Sequence, residues 1–441
     1  MSSWKQVRFS EICDITRGGS PRPIQEYMTN DGVPWIKISD ATASNSRFIE
    51  KTKEFIKTSG ISKSREVFPD DLILSNSATP GIPKFMRIYA CIHDGWLLLR
   101  NFNGAEKEFI YWLLLNERDK LIQQGNGSVF TNLKTDILKN HIVNIPDDIE
   151  EQKRIATILN NIQEKIELNT QINQTLEQIA QTIFKSWFID FDPVHAKANA
   201  LASGQTLEQA TQAAMAVISG KNTQELHRLQ TANPEQYQQL WEIAEAFPSG
   251  FDEEGVPWGW ESKKVGEVAK IVKGKKPKLI SSEPDDGFLP HILMASLSGK
   301  YTEYAQIDKS IVCDIFDTLI LMDGAASGKI AIGHKGVIGS TFAKMELSEN
   351  KYWALFNLFM FSKEQDIQAN TTGTSIPHTD KARVLDYEII VPCDVVLNYF
   401  TEMYKNILCS ILNQRKNSFI LENIRDLLLP KLLSGEILNG N

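Results

Sequence analysis

The stretch PDDIEEQKRIATILNNIQEKIELNTQINQTLEQIAQTIFKSWF (146–188) decides how this 441-residue chain is organised. Pro146 and the two aspartates after it suit the start of a helix, and Glu150 and Glu151 put negative charge in its first turn. Apolar residues then recur at Ile155, Ile158 with Leu159, Ile162, Ile166, Ile172, Leu176, Ile179 and Ile183. A spacing of three and four makes a seam that has to pack on another helix. Some forty residues at 1.5 Å each predict a rod roughly 60 Å long. Asn169 and Asn173 fall near the seam, where polar residues tend to fix register. Its natural partner is VVLNYFTEMYKNILCSILNQRKNSFILENIRDLLLPKLLSGEI (395–437), with Ile407, Ile411, Leu421 and Leu428 on the facing stripe.

The two helical stretches are the ends of a longer repetition. Trp4, Glu11, Ile12, Ile15, Gly18, Pro21, Pro34 and Ile36 recur as Trp260, Glu267, Val268, Ile271, Gly274, Pro277, Pro290 and Ile292, at an offset of 256. Leu72-Ile73-Leu74 and Gly81 meet Leu319-Ile320-Leu321 and Gly328 at 247, and Ile145-Pro146 meets Val391-Pro392 at 246. LEQIAQTIF (176–184) meets LENIRDLLL (421–429) at 245. The offset steps down and never backwards, as it would if the second copy had lost a few loop residues. So long a period excludes solenoids and propellers and means two domain-sized units.

Composition bounds what those units are. Hydrophobic content of 42% and charged content of 23% describe an ordinary globular protein. No apolar run approaches the length that spans a bilayer, and MSSWKQVRFSEI has no secretory h-region. Five scattered cysteines without a CxxC suggest neither a zinc site nor a disulfide framework, so a reduced cytoplasm is expected. The net charge of −8 is unevenly spread: residues 1–146 carry 19 basic and 16 acidic side chains, residues 147–260 carry 7 and 17. Acidity sits between the repeated units, and each unit is left free to hold a local basic face.

Within each unit, short apolar stretches such as VPWIKIS (33–39), DLILSNS (71–77), WLLLR (96–100) and HIVNIP (141–146) predict strands of a twisted sheet or partial barrel. EKEFIYWLLLNERDKLIQQG (106–125) has helical spacing and ends at Gly125. The expected segments are a mixed α/β domain (1–147), a long helix (148–190), a helical, acidic connector (191–257), a second domain (258–394) and a second long helix (395–437).

EQKRIATILNNIQEKIELN (151–169) with LEQIAQTIFKSWFIDFDPV (176–194) resembles the central conserved region of the specificity subunit of type I restriction–modification systems. IRDLLLPKLLSGEI (424–437) resembles that family's C-terminal conserved region. VPWIKISD (33–40), PDDLILS (69–75) and VPWGWESKKVGEVAKIVKG (256–274) are similar to phrases of its target-recognition domains. The ordered set covers nearly the whole chain; one departure is HILMASL (291–297) where the first unit has WIKISDA (35–41). The resemblance implies an α+β fold: two target-recognition domains separated by two long antiparallel coiled-coil helices with pseudo-twofold symmetry. It implies a subunit without catalysis or cofactor that binds double-stranded DNA, two copies of the modification methyltransferase and the restriction endonuclease/translocase subunits, with no membrane involved.

A bipartite site needs two reading heads at a fixed distance and rotation. B-DNA repeats every 34–36 Å, so a rod of roughly 60 Å separates the heads by more than one turn and leaves an unread gap. Polar, glycine-marked loops are the candidates for contact. In the first unit these are Lys37, then Asn76, Ser77, Thr79, Lys84 and Arg87, then Asn126, Ser128, Thr131, Asn132 and Lys134. In the second they are Lys275, Lys276 and Lys278 of KGKKPK (273–278), then Lys329, His334, Lys335, Thr374, Ser375, His378, Thr379 and Lys381. Amides pair with adenine, Arg and Lys with guanine or phosphate, and hydroxyls with either. Trp35, Trp96, His93 and His141 read as packing residues. Lys153, Arg154, Lys165, Trp187, Phe188, Arg415, Lys416 and Arg425 are candidates for partner docking.

Enzyme motifs fail on inspection. GAASGKI (324–330) is one residue short of a phosphate loop, and no Ser or Thr follows Lys329. PDDIEEQK (146–153) imitates a nuclease motif, but its acidic residues are crowded at a helix start. Asn233-Pro234 continues as Glu235-Gln236, so the Asn/Asp-Pro-Pro-aromatic grip on a flipped base is absent. The alternative to a DNA reader is a helical scaffold that organises partner subunits and ignores DNA sequence.

Overall fold

A computed structural model describes residues 3–43, 46–124, 132–373 and 375–436. They fold as an α+β chain in two compact units, residues 1–168 with 420–441, and residues 169–419. Two helices of 40 residues, Ile149–Phe188 and Asp394–Leu433, each contribute a part to both units.

In the first unit, Trp4–Arg8 pairs antiparallel with Ile142–Pro146 and clasps the ends of the domain. One sheet runs in the order Asp14–Arg17, Trp96–Arg100, Leu72–Ser75, Pro83–Met86, Phe48–Ile49. A second runs Met28–Thr29, Phe55–Ile56, Val33–Ile36, Ala90–Ile92, Arg65–Val67. LILS and WLLLR read as continuous apolar runs because both their faces are buried. Leu72, Leu74, Leu97 and Leu99 pack toward the helices with Phe109, Ile110, Ile155, Leu159 and Leu432. Ile73, Trp96 and Leu98 face the other way, onto Ile36, Val67 and Ile92 of the second sheet. Side chains that alternate along a strand supply both layers. The helical stretch expected over 106–125 is two helices, Lys107–Asn116 and Arg118–Gln124. At the break, the Glu117 carboxylate bonds the buried His141 ring at 3.1 Å and Lys120 at 2.9 Å. Gly125, the expected stop, lies outside the described residues.

The second unit repeats the plan. Glu261–Lys264 pairs with Glu388–Val391, a four-stranded sheet runs Ala269–Lys273, Phe342–Leu347, Thr318–Leu321, Ile330–Ala331, and a five-stranded sheet holds Phe288–Ile292 and Gly336–Ile338 in parallel. Strand register corrects the offset of the repeat. Trp96 pairs with Ser75, and Phe342 pairs with Leu321, so these strands match at 246 and not 247. An error of one residue would turn every side chain to the opposite face. Gly81 does match Gly328 at 247: both amides bond back to the strand end, Gly81 to the Ser75 carbonyl and Gly328 to that of Leu321. The turn of the second unit is therefore one residue longer, and the offset does step backwards there.

The connector is four helices, Asp192–Ala202, Leu207–Ser219, Thr223–Ala232 and Pro234–Ala246. Capping boxes at Thr206 with Gln209 and at Asn222 with Glu225 start the second and third. Ala214, Met215, Leu226, Ile243 and Phe247 enter the same core as Phe184, Trp187, Phe188, Trp260 and Phe400. Trp187 meets Phe247 edge-on at 5.2 Å, and Phe188 meets Phe400 at 4.8 Å. Lys197 is buried and donates to the carbonyls of Ala244, Glu245 and Phe247, closing the C-terminus of the fourth helix. Residues 191–257 are thus structural members of the second unit.

Within each unit the long helices run antiparallel. In the first, Arg425 donates to Gln163 at 2.6 Å. In the second, Asn169 donates to Ser418 at 3.2 Å, Arg415 pairs with Glu177 at 3.0 Å, and Trp187 stacks on Tyr399. Ile155, Ile166 and Ile411 are buried, whereas Ile162, Leu176, Ile183, Ile407, Leu421 and Leu428 are half-buried. Ile158 and Ile179, placed on the seam from their spacing, are exposed. Ala180, Phe184, Trp187 and Phe188 carry that burial near the helix end, where the stripe widens into the second unit's core.

Candidate nucleic-acid interface

In each unit the same three backbone hydrogen bonds lace the loops at one edge of the sheets. The Gly18 amide donates to the Trp96 carbonyl (2.8 Å), that of Asn76 to Gly95 (2.7 Å), and that of Leu133 to Asn76 (2.8 Å). Their counterparts run from Gly274 to Phe342 (2.9 Å), from Met322 to Thr341 (2.7 Å) and from Thr379 to Met322 (2.8 Å). Glycine is required at the first tie in both. A Cβ on Gly18 would lie 2.2 Å from the His93 carbonyl oxygen, and one on Gly274 would lie 2.2 Å from that of Gly339.

The lacing brings part of the first unit's candidates together. Asn76 is buried and its amide donates to the Asp94 carbonyl at 3.2 Å, so it organises the loops from within. Ser77 and Thr79 are half-buried beside it, and Asn132 and Lys134 flank the tie at Leu133, exposed. Asn126, Ser128 and Thr131 lie outside the described residues. Asp94 is bonded to Ser20 and His93, and burial holds His93 below the ordinary histidine range against the pull of Asp94. Lys37 pairs with Glu54 at 2.6 Å and lines a cavity of about 730 Å³ with Arg22, Gln25, Trp35 and His93. Trp35 and Trp96 are core residues. Lys84 and Arg87 sit elsewhere. Lys84 is buried under the Ser46 carbonyl, and the exposed Arg87 stacks over Phe48 at 3.8 Å.

In the second unit, Lys275, Lys276 and Lys278 are exposed on the loop after Gly274. Asp323 accepts from Lys273 and from the His378 ring, both at 2.8 Å. Burial works against its ionisation, but these two bonds outweigh it and hold the carboxyl below its usual range. Ser375 and Lys381 are exposed near by, and Thr374 lies outside the described residues. Thr379 is buried and donates to the Leu321 carbonyl at 2.7 Å. Lys335 is exposed and pairs with Asp314 at 3.4 Å. Lys329 and His334 line a cavity of about 460 Å³ against the long helices. Asn76, Lys84, His334 and Thr379 therefore face inward as the chain stands.

Arg22 is exposed on the loop after Gly18 and Gln25 on the one-turn helix Ile24–Tyr27 that follows; neither belongs to a basic run. The offset of 256 carries Lys278 onto Arg22, so the repeat itself held the signal.

A family model described as the type I restriction modification DNA specificity domain matches residues 1–178 and again 257–394. The chain belongs to this family. It is similar to the type I restriction enzyme HindI specificity subunit of Haemophilus influenzae, 30% identical with 99% of this chain and 100% of that one covered. The MjaIX specificity subunit of Methanocaldococcus jannaschii is 25% identical over 98% and 93%. The fold is also that of the type I restriction–modification S subunit from M. genitalium, at a TM-score of 0.55 and 13% identity over 98% and 96%. Each matched stretch of this specificity-family chain contains one set of laced loops. Among the described residues, no group of three or more His, Cys, Asp or Glu side chains is placed to hold a metal.

Burial of His334, with Arg415 near by, pushes its pKa down from 6.5 to about 4; its Nδ1 lies 3.2 Å from the Tyr301 hydroxyl. The unfolded chain takes up this proton as pH falls through about 6.5 and the folded chain does not, so stability is present above that pH and is lost toward pH 4. The loss expected at pH 5 is about 2 kcal/mol. Urea titrations of wild type and His334→Gln at pH 7 and pH 5 measure it: the variant should lose correspondingly less, and equal losses would refute the assignment.

Proposed function

We propose that the chain is the DNA-reading subunit of a type I restriction–modification complex, with no catalysis of its own. The observation that carries this is the shared lacing. Two loop clusters have one backbone framework and different side chains: half-buried Ser77 against half-buried Asp323, and exposed Asn132 against His378 and Arg22 against Lys278. Two such heads grip a duplex alike and read different bases. The proposed contacts are Arg22, Gln25, Lys37, Ser77, Thr79, Asn132 and Lys134, and Lys275, Lys276, Lys278, Asp323, Ser375, His378 and Lys381. Asn126, Ser128, Thr131 and Thr374 remain candidates from sequence. Asn76 and Thr379 support the loops from behind, and Lys84, Arg87, Lys329, His334 and Lys335 are assigned no contact.

The complex assembled with its methyltransferase subunits should bind one duplex selectively, with affinity falling steeply as salt rises. Replacing Lys275, Lys276 and Lys278 by Gln should reduce the slope of log K against log salt by about 1–3 and leave the sequence preference intact. Equal affinity for all duplexes, flat with salt, would mean a scaffold and not a reader.

The target proposed is bipartite, two half-sites with an unread gap set by the 40-residue helices. Deleting four residues from each helix removes about 6 Å and should shift the preferred gap by about two base pairs. A deletant that folds, binds and keeps its original gap would end the ruler idea.

The proposed partners are two methyltransferase subunits and the restriction subunits, acting in the cytoplasm. No described helix is long and apolar enough to cross a membrane, and all five cysteines are free thiols. Ile420, Ile424 and Leu427 lie exposed at i, i+4 and i+7 on the second long helix, a face suited to a partner helix. Duplication supports one docking surface per repeat. Native mass measurement at saturating methyltransferase should give two copies; one copy would contradict this.

A further inference from the structure

Among the described residues, the first unit contains a charged contact that the second lacks. Arg47, 3% exposed, precedes the edge strand Phe48–Ile49, which pairs in parallel with Phe85 and Met86. Its guanidinium lies 3.4 Å from Glu108 and 3.2 Å from Glu164, donates to the Asn160 amide oxygen, and places Nε 3.8 Å from Glu167. Its backbone amide also donates to Glu167 at 3.3 Å. Glu108 belongs to the domain, whereas Asn160, Glu164 and Glu167 stand at i, i+4 and i+7 on the first long helix. Asn160 also bonds Trp112 at 2.8 Å and Glu108 at 3.2 Å, so the claw is held from both sides.

In the second unit this device is gone. Strand pairing aligns Pro34 opposite Phe55 with Pro290 opposite Tyr304, yet 21 positions separate the first pair and 14 the second. The shorter connection has no counterpart of Phe48–Ile49: among the described residues no strand flanks Ile330–Ala331 on its outer side. The cavity of about 460 Å³ opens there instead, lined by Ile330, Ala331, Leu358, Tyr404, Leu408 and Ile411. At the offset of 245, Lys405, Cys409 and Leu412 replace Asn160, Glu164 and Glu167.

Apolar burial joins the first domain to the helix at Ile155, Ala156 and Leu159. Buried Gln152 anchors the same first turns: it accepts from the Glu106 amide at 2.7 Å and donates to the Pro146 and Gly104 carbonyls at 2.8 and 3.2 Å. A buried guanidinium gripped by several acceptors is directional, and it lies one to two turns further along. One anchor at the helix start leaves the domain free to tilt about it; a second, separated point of attachment defines an angle.

We infer that Arg47 is a positioning residue that locks the first recognition domain at one angle on the long helix and so fixes where the first half-site falls along DNA. The inference rests on the DNA-reading function proposed above. Its test uses the complex assembled with methyltransferase subunits, and duplexes whose gap is varied by one and two base pairs. Arg47→Met should leave the half-site bases unchanged and the domain folded by circular dichroism, even where its melting point falls. It should reduce the preference for the native gap over its neighbours by about tenfold, because a lost buried ion contact no longer resists the off-angle pose. Glu164→Gln with Glu167→Gln, which removes the charge from the helix side of the claw, should act in the same direction, and it serves if Arg47→Met is insoluble. Arg47→Lys keeps the charge without the fork and should fall between. Folded variants with native gap selectivity would overturn the role of Arg47 and leave the DNA-reading function standing. A wild-type complex that distinguishes no half-site would count against that function and against this inference with it.

Discussion

A forty-residue helix with an apolar stripe has to bury that stripe, and each unit is built around that requirement. In the first unit, Ile155 and Leu159 complete a core whose other walls are the sheet residues Leu72, Leu74, Leu97 and Leu99 and the short helix carrying Phe109 and Ile110. In the second, Phe184, Trp187 and Phe188 enter a core shared with the connector and with Phe400. Burial of each such side chain contributes about 1.5–3 kcal/mol. Neither sheet system covers its helix-facing leucines or methionines alone. Each domain of this chain is therefore incomplete without its helical segment.

The loops at the far edge obey a second constraint. Each has to pass close to its neighbour, and the close approach at the ties shared by both units leaves no room for a side chain at Gly18 or Gly274. A framework held by backbone hydrogen bonds tolerates any side chain that points out of it. Divergence between the copies is consequently concentrated at positions such as Ser77 and Asp323, while the strands keep their apolar alternation. Recognition surfaces are expected to lie where rigid elements present variable loops.

Period and patterning made the architecture legible. The duplication, the two long helices and strands such as LILS and WLLLR could be read because apolar periodicity reports burial directly. Matching by letters alone nevertheless placed Leu72-Ile73-Leu74 one residue out, since identical apolar residues carry no information about which face they occupy. Exposure along the helix was misread at Ile158 and Ile179 because spacing does not say where the stripe widens. The candidate site was less legible. Lys84, His334 and Thr379 are polar side chains turned inward to bond carbonyls or a tyrosine hydroxyl, and burial of a polar group depends on partners distant in sequence. The claw around Arg47 was hidden for the same reason: its members at 47, 108, 160, 164 and 167 share no motif. From sequence, the shorter second copy looked like lost loop; its loss removes a strand and a charge.

The difference between Ser77 and Asp323 bears on how two heads with one framework come to prefer different bases. A hydroxyl donates or accepts, so Ser77 at a groove edge excludes little. Asp323 is ionised, pinned between Lys273 and His378, and accepts only. Within a DNA-reading role it favours a base edge that offers an amino group, cytosine N4 or adenine N6, and repels the oxygen-rich edges of guanine and thymine. Much of its discrimination would then come from repulsion between the carboxylate and the oxygen edge of a wrong base. Lys273 and His378 limit the cost of holding that charge near phosphates, because the carboxylate meets DNA already paired on its protein side. On the DNA-reading role proposed above, the second head would reject, whereas the first, with neutral Ser77 and Asn132 at the matching positions, would accommodate.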